Sequence, residues 1–279
     1  PYTLDNKRYH TWNYHMHSVF GRKVMKIPLD AGFTCPNIDG VCGRGGCVYC
    51  SPSGSGDFAV DVQGSAAQLI EGYHRLSGKW PGCAAMAYFQ AHSNTYAPMG
   101  ALRRAVEPGL AVRSPEVVGM AIATRADCLP EDVVRYLTEL SQRTWLLIEL
   151  GVQTVHDATA RRINRCHDYT TFLEGYHRLR EAGLRVCVHL INGLPGEDAA
   201  MMRQTALEVG RLQPHSVKLH MLHVLRGTPL AAQYESLDLL TREEYVALVC
   251  DQLERLPPKV VIQRLTGDGP VESLLGPAW

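Results

Sequence analysis

Short apolar runs alternate along this chain with stretches that read as helices. Strand-like runs are expected at residues 23–29, 83–89, 117–123, 145–151, 184–191 and 216–224, with a late short strand at 259–264. Between them, helices are expected at 64–76, 99–106, 131–142, 155–163, 169–182, 199–212 and 242–256. Pro130 suits the first turn of the helix that follows it, and Gly183 suits a helix C-cap. Strands that alternate with helices form parallel βαβ units, and strands that are apolar along their whole length suit a sheet covered on both faces. Six such units precede the late strand. The expectation is an α/β protein with a partial (β/α)6 TIM-like barrel, a doubly wound open sheet being the alternative. In either architecture ligands gather at the C-terminal ends of the strands. With no long linker, low-complexity tract or short-period repeat, one domain over 1–279 is the economical division. It would have an N-terminal extension at 1–21, the barrel at 22–256 and a C-terminal extension at 257–279.

Composition narrows the function. The 279 residues are 46% hydrophobic and 20% charged, which argues against disorder. The 28 basic and 28 acidic residues cancel, so any nucleic-acid partner must be gripped by a local patch. Arginine outnumbers lysine 22 to 6, which suits forked contacts to phosphate or carboxylate as well as a plain compositional bias. No apolar run approaches the roughly 20 residues of a membrane span, and residues 1–17 do not resemble a signal peptide. A cytoplasmic protein without a membrane partner is expected.

Nine cysteines fit a secreted disulfide framework poorly and an intracellular metal or cluster site better. Cys47 and Cys50 form a C-x-x-C, with Cys35 and Cys42 upstream, on a loop that Gly40, Gly43, Gly45 and Gly46 allow to wrap tightly. Cys83, Cys128, Cys166, Cys187 and Cys250 read as inert small residues. Four thiols suit a zinc site, but zinc ribbons pair two C-x-x-C knuckles and only one is present. Three thiolates suit an iron–sulfur cluster with one iron left open. A redox dithiol at Cys47 and Cys50 is a third reading.

The stretch Lys26-Ile-Pro-Leu-Asp-Ala-Gly-Phe-Thr-Cys-Pro-Asn37, the segment Gly46-Cys-Val-Tyr-Cys50 and the run Gln263-Arg-Leu-Thr-Gly-Asp-Gly-Pro270 resemble the YhcC/YtqA-like radical S-adenosylmethionine (SAM) family. The resemblance covers essentially the whole chain. Glu149-Leu-Gly-Val-Gln-Thr154, Gly193-Leu-Pro-Gly196 and Arg226-Gly-Thr228 are similar to the radical SAM part of the Elongator catalytic subunit. Gly151-Val-Gln153 is similar to oxygen-independent coproporphyrinogen III oxidase. This implies a [4Fe-4S] cluster on Cys35, Cys47 and Cys50, with Cys42 a spare thiol or a substitute for Cys35. It also implies SAM as cofactor and a flavodoxin- or ferredoxin-type electron donor. The acetyltransferase half that accompanies the Elongator subunit is not expected.

The resemblance assigns SAM contacts to four strand ends. They are Gln90, Ser93, Asn94 and Thr95 after the second strand, Arg125 after the third, Glu149, Gln153 and Arg165 from the fourth, and His189 on the fifth. Relatives place a Gly-Gly-Glu or Gly-Gly-Gly-Thr segment where this chain has Gln90–Thr95, and a glutamate near Ala123. Arg165 follows Gln153 at the spacing of the coproporphyrinogen enzyme, where the arginine meets the SAM carboxylate. The plainer readings are a structural ion pair for Glu149, a core histidine for His189, scaffold or substrate-pocket roles for His220 and His223, and turn residues for Gly193 and Gly196. The Elongator likeness implies a transfer RNA substrate, at or near the wobble uridine. Arg22, Lys23 and Lys26, expected near the cluster loop, and the pairs Arg103/Arg104 and Arg161/Arg162 would meet its phosphates. Tyr9, Trp12, Tyr14 and Phe20 would stack on bases or, more simply, cap the barrel. A small carboxylated metabolite, or a zinc-stabilised barrel without chemistry, are the rival readings.

Overall fold

The computed structural model describes residues 6–54, 56–267 and 269–279. An N-terminal helix, α1 (Trp12–Phe20), leads into strand β1 (Val24–Leu29). Then follow α2 (Ser65–Ser77), β2 (Ala84–Phe89), α3 (Met99–Ala111), β3 (Val117–Thr124), α4 (Glu131–Ser141) and β4 (Trp145–Gln153). The second half contains α5 (Asp157–Arg162), α6 (Tyr169–Glu181), β5 (Arg185–Asn192), α7 (Ala199–Arg211), β6 (Ser216–Met221), β7 (Val224–Leu225), α8 (Arg242–Arg255), β8 (Val261–Arg264) and β9 (Leu274–Gly276). Seven strands form one parallel sheet in the order β1-β2-β3-β4-β5-β6-β8. The architecture is the expected α/β partial barrel, with the late strand as its seventh member.

Side chains on alternate strand positions divide the interior in two. Ala85, Ala87 and Phe89 of β2, with Leu146, Ile148 and Leu150 of β4, face the helices and belong to the main core. Ala84, Met86 and Tyr88, with Leu147 and Cys187, face the lumen of the half-barrel and pack around Met16 of α1.

Four local outcomes depart from the sequence pattern. Helix α3 runs to Ala111 through Pro108, because its buried stripe continues from Leu102 and Val106 to Gly109. Residues 216–224 are two strands, not one: the chain bends after Met221, and β7 pairs antiparallel with β9 of the C-terminal segment. Strand β4 continues to Gln153, where a register shift against β5 and a φ of +67° turn the chain. Helix α1 occupies the segment that was read only as an extension. Its N-cap is Thr11, whose hydroxyl accepts from the Tyr14 amide at 3.0 Å. Trp12, His15 and Phe20 close against Trp145, the first residue of β4, and His15 meets His215 at 4.9 Å between ring centres. The N-terminal aromatics thus plug the end of the barrel where the strands begin.

Candidate functional site

The cysteine loop leaves the C-terminal end of β1 and is held by its own backbone. The Ile38 amide donates to the Cys35 carbonyl (2.9 Å), Cys42 to Pro36 (2.9 Å), Gly46 to Asn37 (2.8 Å) and Cys50 to Cys47 (3.0 Å). Asn37, which sequence reasoning quoted but gave no role, ties this loop to the turn after α5. Its Nδ2 donates to the Asn164 carbonyl at 2.8 Å and to Cys47 Sγ at 3.3 Å. The Asn164 side chain returns two hydrogen bonds, to the carbonyls of Arg44 (2.9 Å) and Gly46 (2.7 Å).

Cys35, Cys47 and Cys50 line one cavity of about 250 Å³ at the C-terminal ends of the strands. Cys42 does not. The Ser93 hydroxyl lies 3.1 Å from Cys35 Sγ. The Cys50 thiol hydrogen-bonds Cys47 and, against the cost of burial, lowers its pKa well below the usual thiol value, helped by Arg165 and Asn37. Cys42 turns instead toward Cys166 and the guanidinium of Arg125, with Nη2 at 4.0 Å. Burial, opposed by Arg125, pushes its thiol up to about 11. Cys166 packs so tightly on the loop that a β-carbon on Gly43 would lie 2.5 Å from its sulfur. The donor set is therefore three converging thiols with N–H groups directed at one of them. It fits a [4Fe-4S] cluster with one open iron better than a four-thiol zinc site.

The other candidates divide. Gln90, Ser93, Arg125, Glu149, Gln153, Arg165 and His189 all line the cavity. Asn94 and Thr95 do not. The Asn94 amide donates to the carbonyls of Phe89, Ala91 and Ala123, each at 3.0 Å, and splices the ends of β2 and β3. Thr95 bonds Thr124 and the Cys128 carbonyl. Their side chains shape the loop and face away from a ligand. Arg125 is clamped by Asp127 at 2.7 Å and donates to the Arg165 carbonyl at 2.9 Å. Arg165 donates Nη2 to the Gly151 carbonyl at 2.7 Å, yet its Nε is buried without a partner among the described residues, as are Arg125 Nη1 and Gln153 Oε1. Buried polar atoms rarely stay unpaired, so three of them around one cavity mark a place for a polar ligand.

Glu149 is fully engaged in the lumen. One carboxylate oxygen takes Lys26; the other takes Lys218 at 2.5 Å and His189 Nε2 at 2.9 Å. Burial opposes its charge, but the two lysines and His189 hold the carboxyl well below the usual carboxylate range. Burial, with Lys218 adding to it, lowers His189 to about 4 despite Glu149, so its ring is neutral at pH 7. Glu149, Cys187 and His189 bring potential ligand atoms within 4.8 Å of one another, but the lysines already neutralise the carboxylate. Lys218 also donates to the Tyr88 hydroxyl at 3.1 Å. Neither Lys218 nor Tyr88 stood out in the sequence, because both sit within runs that read as plain strand.

The basic residues expected around an RNA are mostly committed elsewhere. Arg22 pairs with Glu116, Lys23 lies over the Trp80 ring, and Lys26 sits in the lumen, so none lies by the cluster loop. Arg22 and Lys23 precede β1, at the end opposite its cysteine loop, and Lys26 lies within the strand. Arg103 pairs with Glu139 at 3.0 Å and stacks on Tyr136. Arg162 packs on the turn at Gly196, where a β-carbon would lie 2.3 Å from its Nη1. That turn lines a different pocket, which fits the plainer reading of its glycines.

Residues 38–209 match the family described as the Radical SAM superfamily, and residues 214–279 match the Radical_SAM C-terminal domain. The chain belongs to the radical SAM superfamily. The first match begins after Cys35, so the geometry, and not the matched segment, is what brings Cys35 rather than Cys42 to the cavity. This radical SAM chain is 51% identical over 285 aligned residues to YtqA of Bacillus subtilis, covering 100% of this chain and 87% of that one. It is 36% identical over 263 residues to YhcC of Escherichia coli K12, covering 93% and 84%. Human Elongator complex protein 3 is 29% identical over 163 residues, 55% of this chain and 28% of that one. Among solved structures, an archaeal Elp3 from Methanocaldococcus infernus superposes with a TM-score of 0.68 at 17% identity, covering 90% of this chain and 58% of that one. Coproporphyrinogen III oxidase (HemN) from Escherichia coli superposes with 0.54 at 16% identity, covering 84% and 52%. At such identities the likeness is one of fold, and this chain spans little more than half of those two. As a radical SAM enzyme the protein uses a [4Fe-4S] cluster and SAM. No helix among the described residues is long and apolar enough to cross a membrane.

Proposed function

We propose that Cys35, Cys47 and Cys50 hold the cluster, that SAM lies across the cavity beside them, and that the enzyme modifies transfer RNA at or near the wobble uridine. One observation carries the site. Three thiols open onto the same cavity as Arg165 and Gln153, both of which have buried polar atoms without partners among the described residues. When bound, the cluster supplies one electron that cleaves the S–C5′ bond of SAM to methionine and a 5′-deoxyadenosyl radical, and a flavodoxin- or ferredoxin-type donor replaces that electron.

The chain's own residues do the holding. Asn37 and Arg165 direct N–H groups at Cys47 and favour its thiolate. Arg165, fixed by the Gly151 carbonyl, presents its free edge to the SAM carboxylate as a fork. Gln90 and Ser93 line the side where the amino group would lie. His189, neutral and oriented by Glu149, reaches the ribose without adding charge. The buried Met221 and Leu222 exclude water from part of the same cavity.

The RNA reading rests on the Elongator likeness. It does not rest on a basic surface, since the net charge is zero and Arg22, Lys26 and Arg103 are paired. A small carboxylated metabolite is the second reading, favoured by the modest volume of the cavity. Nucleoside mass spectrometry of tRNA from a strain lacking the protein decides between them. The RNA reading expects a precursor nucleoside to accumulate at the wobble uridine. Unchanged wobble nucleosides, together with no tRNA binding at low salt, would hand the function to the metabolite.

A further inference from the structure

The cations around the cavity can be accounted for one by one. Lys26 and Lys218 bind Glu149, Arg125 binds Asp127, and Arg165 donates to the Gly151 carbonyl and lies 4.0 Å from Cys47 Sγ. Arg264 is the exception. It lines the same cavity and, among the described residues, has neither a hydrogen bond nor an ion pair for its guanidinium.

Its position follows from an irregularity in the sheet. Strand β8 pairs in step with β6 through Ser216↔Val261 and Val217↔Ile262, then shifts, so that Lys218 pairs with Arg264. Gln263, the residue skipped by the shift, donates to the Ser216 hydroxyl at 2.6 Å and accepts from Lys26 in the lumen. The shift therefore gives two consecutive residues of β8 to the lumen side, Gln263 below and Arg264 above it toward the cluster. Such irregularities re-aim a side chain next to a site, where regular alternation would have pointed Arg264 at the helices.

His220 lines the same cavity and feels the charge of this guanidinium. Its Nε2 is buried with no partner among the described residues, and its ring meets His189 at 5.2 Å. Burial, with His189 and Arg264 nearby, holds it neutral, leaving one N–H available as a donor. Of the two carboxylates that line the cavity, Glu149 is taken by Lys26 and Lys218 and Asp57 accepts from the Ser51 and Ser53 hydroxyls, so neither pairs with Arg264. A half-buried guanidinium without a counter-charge is an open place for an anion, since solvent screens it less than a fully exposed one.

We propose that Arg264 anchors an anionic group of the substrate, a carboxylate or a phosphate, with His220 as its neutral second donor. The guanidinium fork takes two oxygens of the anion side by side. That places the anion on β8 and β6, across the cavity from Cys35, Cys47 and Cys50, with the rest of the substrate between the two. The inference rests on the reading that this cavity receives both SAM and substrate. It does not require the substrate to be RNA.

The test uses the cluster-reconstituted enzyme with SAM bound, titrated calorimetrically with malonate and separately with inorganic phosphate. At least one of them should bind the wild type, and Arg264→Ala should weaken it by at least about tenfold, the size expected for hydrogen bonds to a charged group. Arg264→Lys should restore part of the loss. SAM affinity should be the same in all three proteins, which guards against a misfolded variant. Binding of malonate alone identifies a carboxylate, and binding of phosphate alone a phosphate. Equal anion binding by Arg264→Ala, or binding of neither anion by the wild type, would overturn the proposal. Total tRNA is titrated in a parallel arm. If tRNA does not bind while anion binding still depends on Arg264, the wobble-uridine reading fails and the anchor stands.

Discussion

Four cysteines share the loop after β1, but their environments differ at the level of single atoms. Cys35, Cys47 and Cys50 face the cavity, while Cys42 faces Cys166 and Arg125. After anaerobic reconstitution, Cys47→Ala is therefore expected to lose the cluster's colour and its iron. Cys42→Ala should keep both, with iron close to four per chain. Retention of colour by Cys47→Ala with loss by Cys42→Ala would reverse the assignment. Arg165 offers a second test, since it is 6% exposed and its Nε has no partner among the described residues. Arg165→Ala should weaken SAM binding by at least about tenfold, as a lost charge-assisted contact would. Arg75→Ala, on the outer helix α2, should change it little. The cysteine spacing alone left a cluster, a zinc site and a dithiol open, and it was the family resemblance that implied the three-cysteine set. The roles of Asn94 and Thr95 were not legible, because polar residues after a strand look alike whether they face a ligand or splice two backbones. Arg264 lay in a quoted motif, yet its orientation depends on a strand register that no single strand encodes.

At the scale of elements, the lumen network and the N-terminal plug hold the strands together. Glu149 on β4 joins Lys26 on β1 and Lys218 on β6. Glu149→Gln leaves two buried ammonium groups without a carboxylate. It is expected to destabilise the fold by about 3–5 kcal/mol, read from denaturant unfolding, as breaking one side of a buried ion network does. A loss below about 1 kcal/mol would contradict the network's structural weight. The plug carries a pH signature. Burial, with positive neighbours, lowers His15 to about 4 and His215 to about 3. The unfolded chain takes up those protons near pH 6.5, while the folded chain refuses them until about pH 4 or below. Stability is therefore lost as pH falls from about 6.5 toward 4. The melting temperature should drop by roughly 5–10 °C between pH 7 and pH 5. His15→Phe with His215→Phe should reduce that slope, leaving the part owed to the likewise depressed His189 and His220, and an unchanged slope would remove the plug histidines as a cause. The sequence showed aromatic residues here but no helix. The segment has no long apolar repeat, and α1 is held by tertiary contacts to Trp145 and His215.

For the whole molecule, alternating strands and helices were enough to read a parallel sheet with its ligands at the C-terminal strand ends, but not to separate a half-barrel from a doubly wound open sheet. Closure was harder to see. The joining of β8 to β6, the antiparallel pairing of β7 with β9, and the plug at the strand N-termini are long-range contacts between segments that look like extensions when read alone. With the N-terminal end plugged and the lumen crossed by the Glu149 network, the cavity is left at the cluster end. The central claim is that the chain's three cavity-facing cysteines support reductive cleavage of SAM. Its most direct measurement is anaerobic incubation of the reconstituted protein with SAM and dithionite, followed by chromatography for 5′-deoxyadenosine. The account predicts 5′-deoxyadenosine and methionine in equal amounts from the wild type and from Cys42→Ala, and neither product from Cys47→Ala. A cluster-loaded wild type that forms no 5′-deoxyadenosine, or a Cys47→Ala variant that forms as much as the wild type, would contradict it.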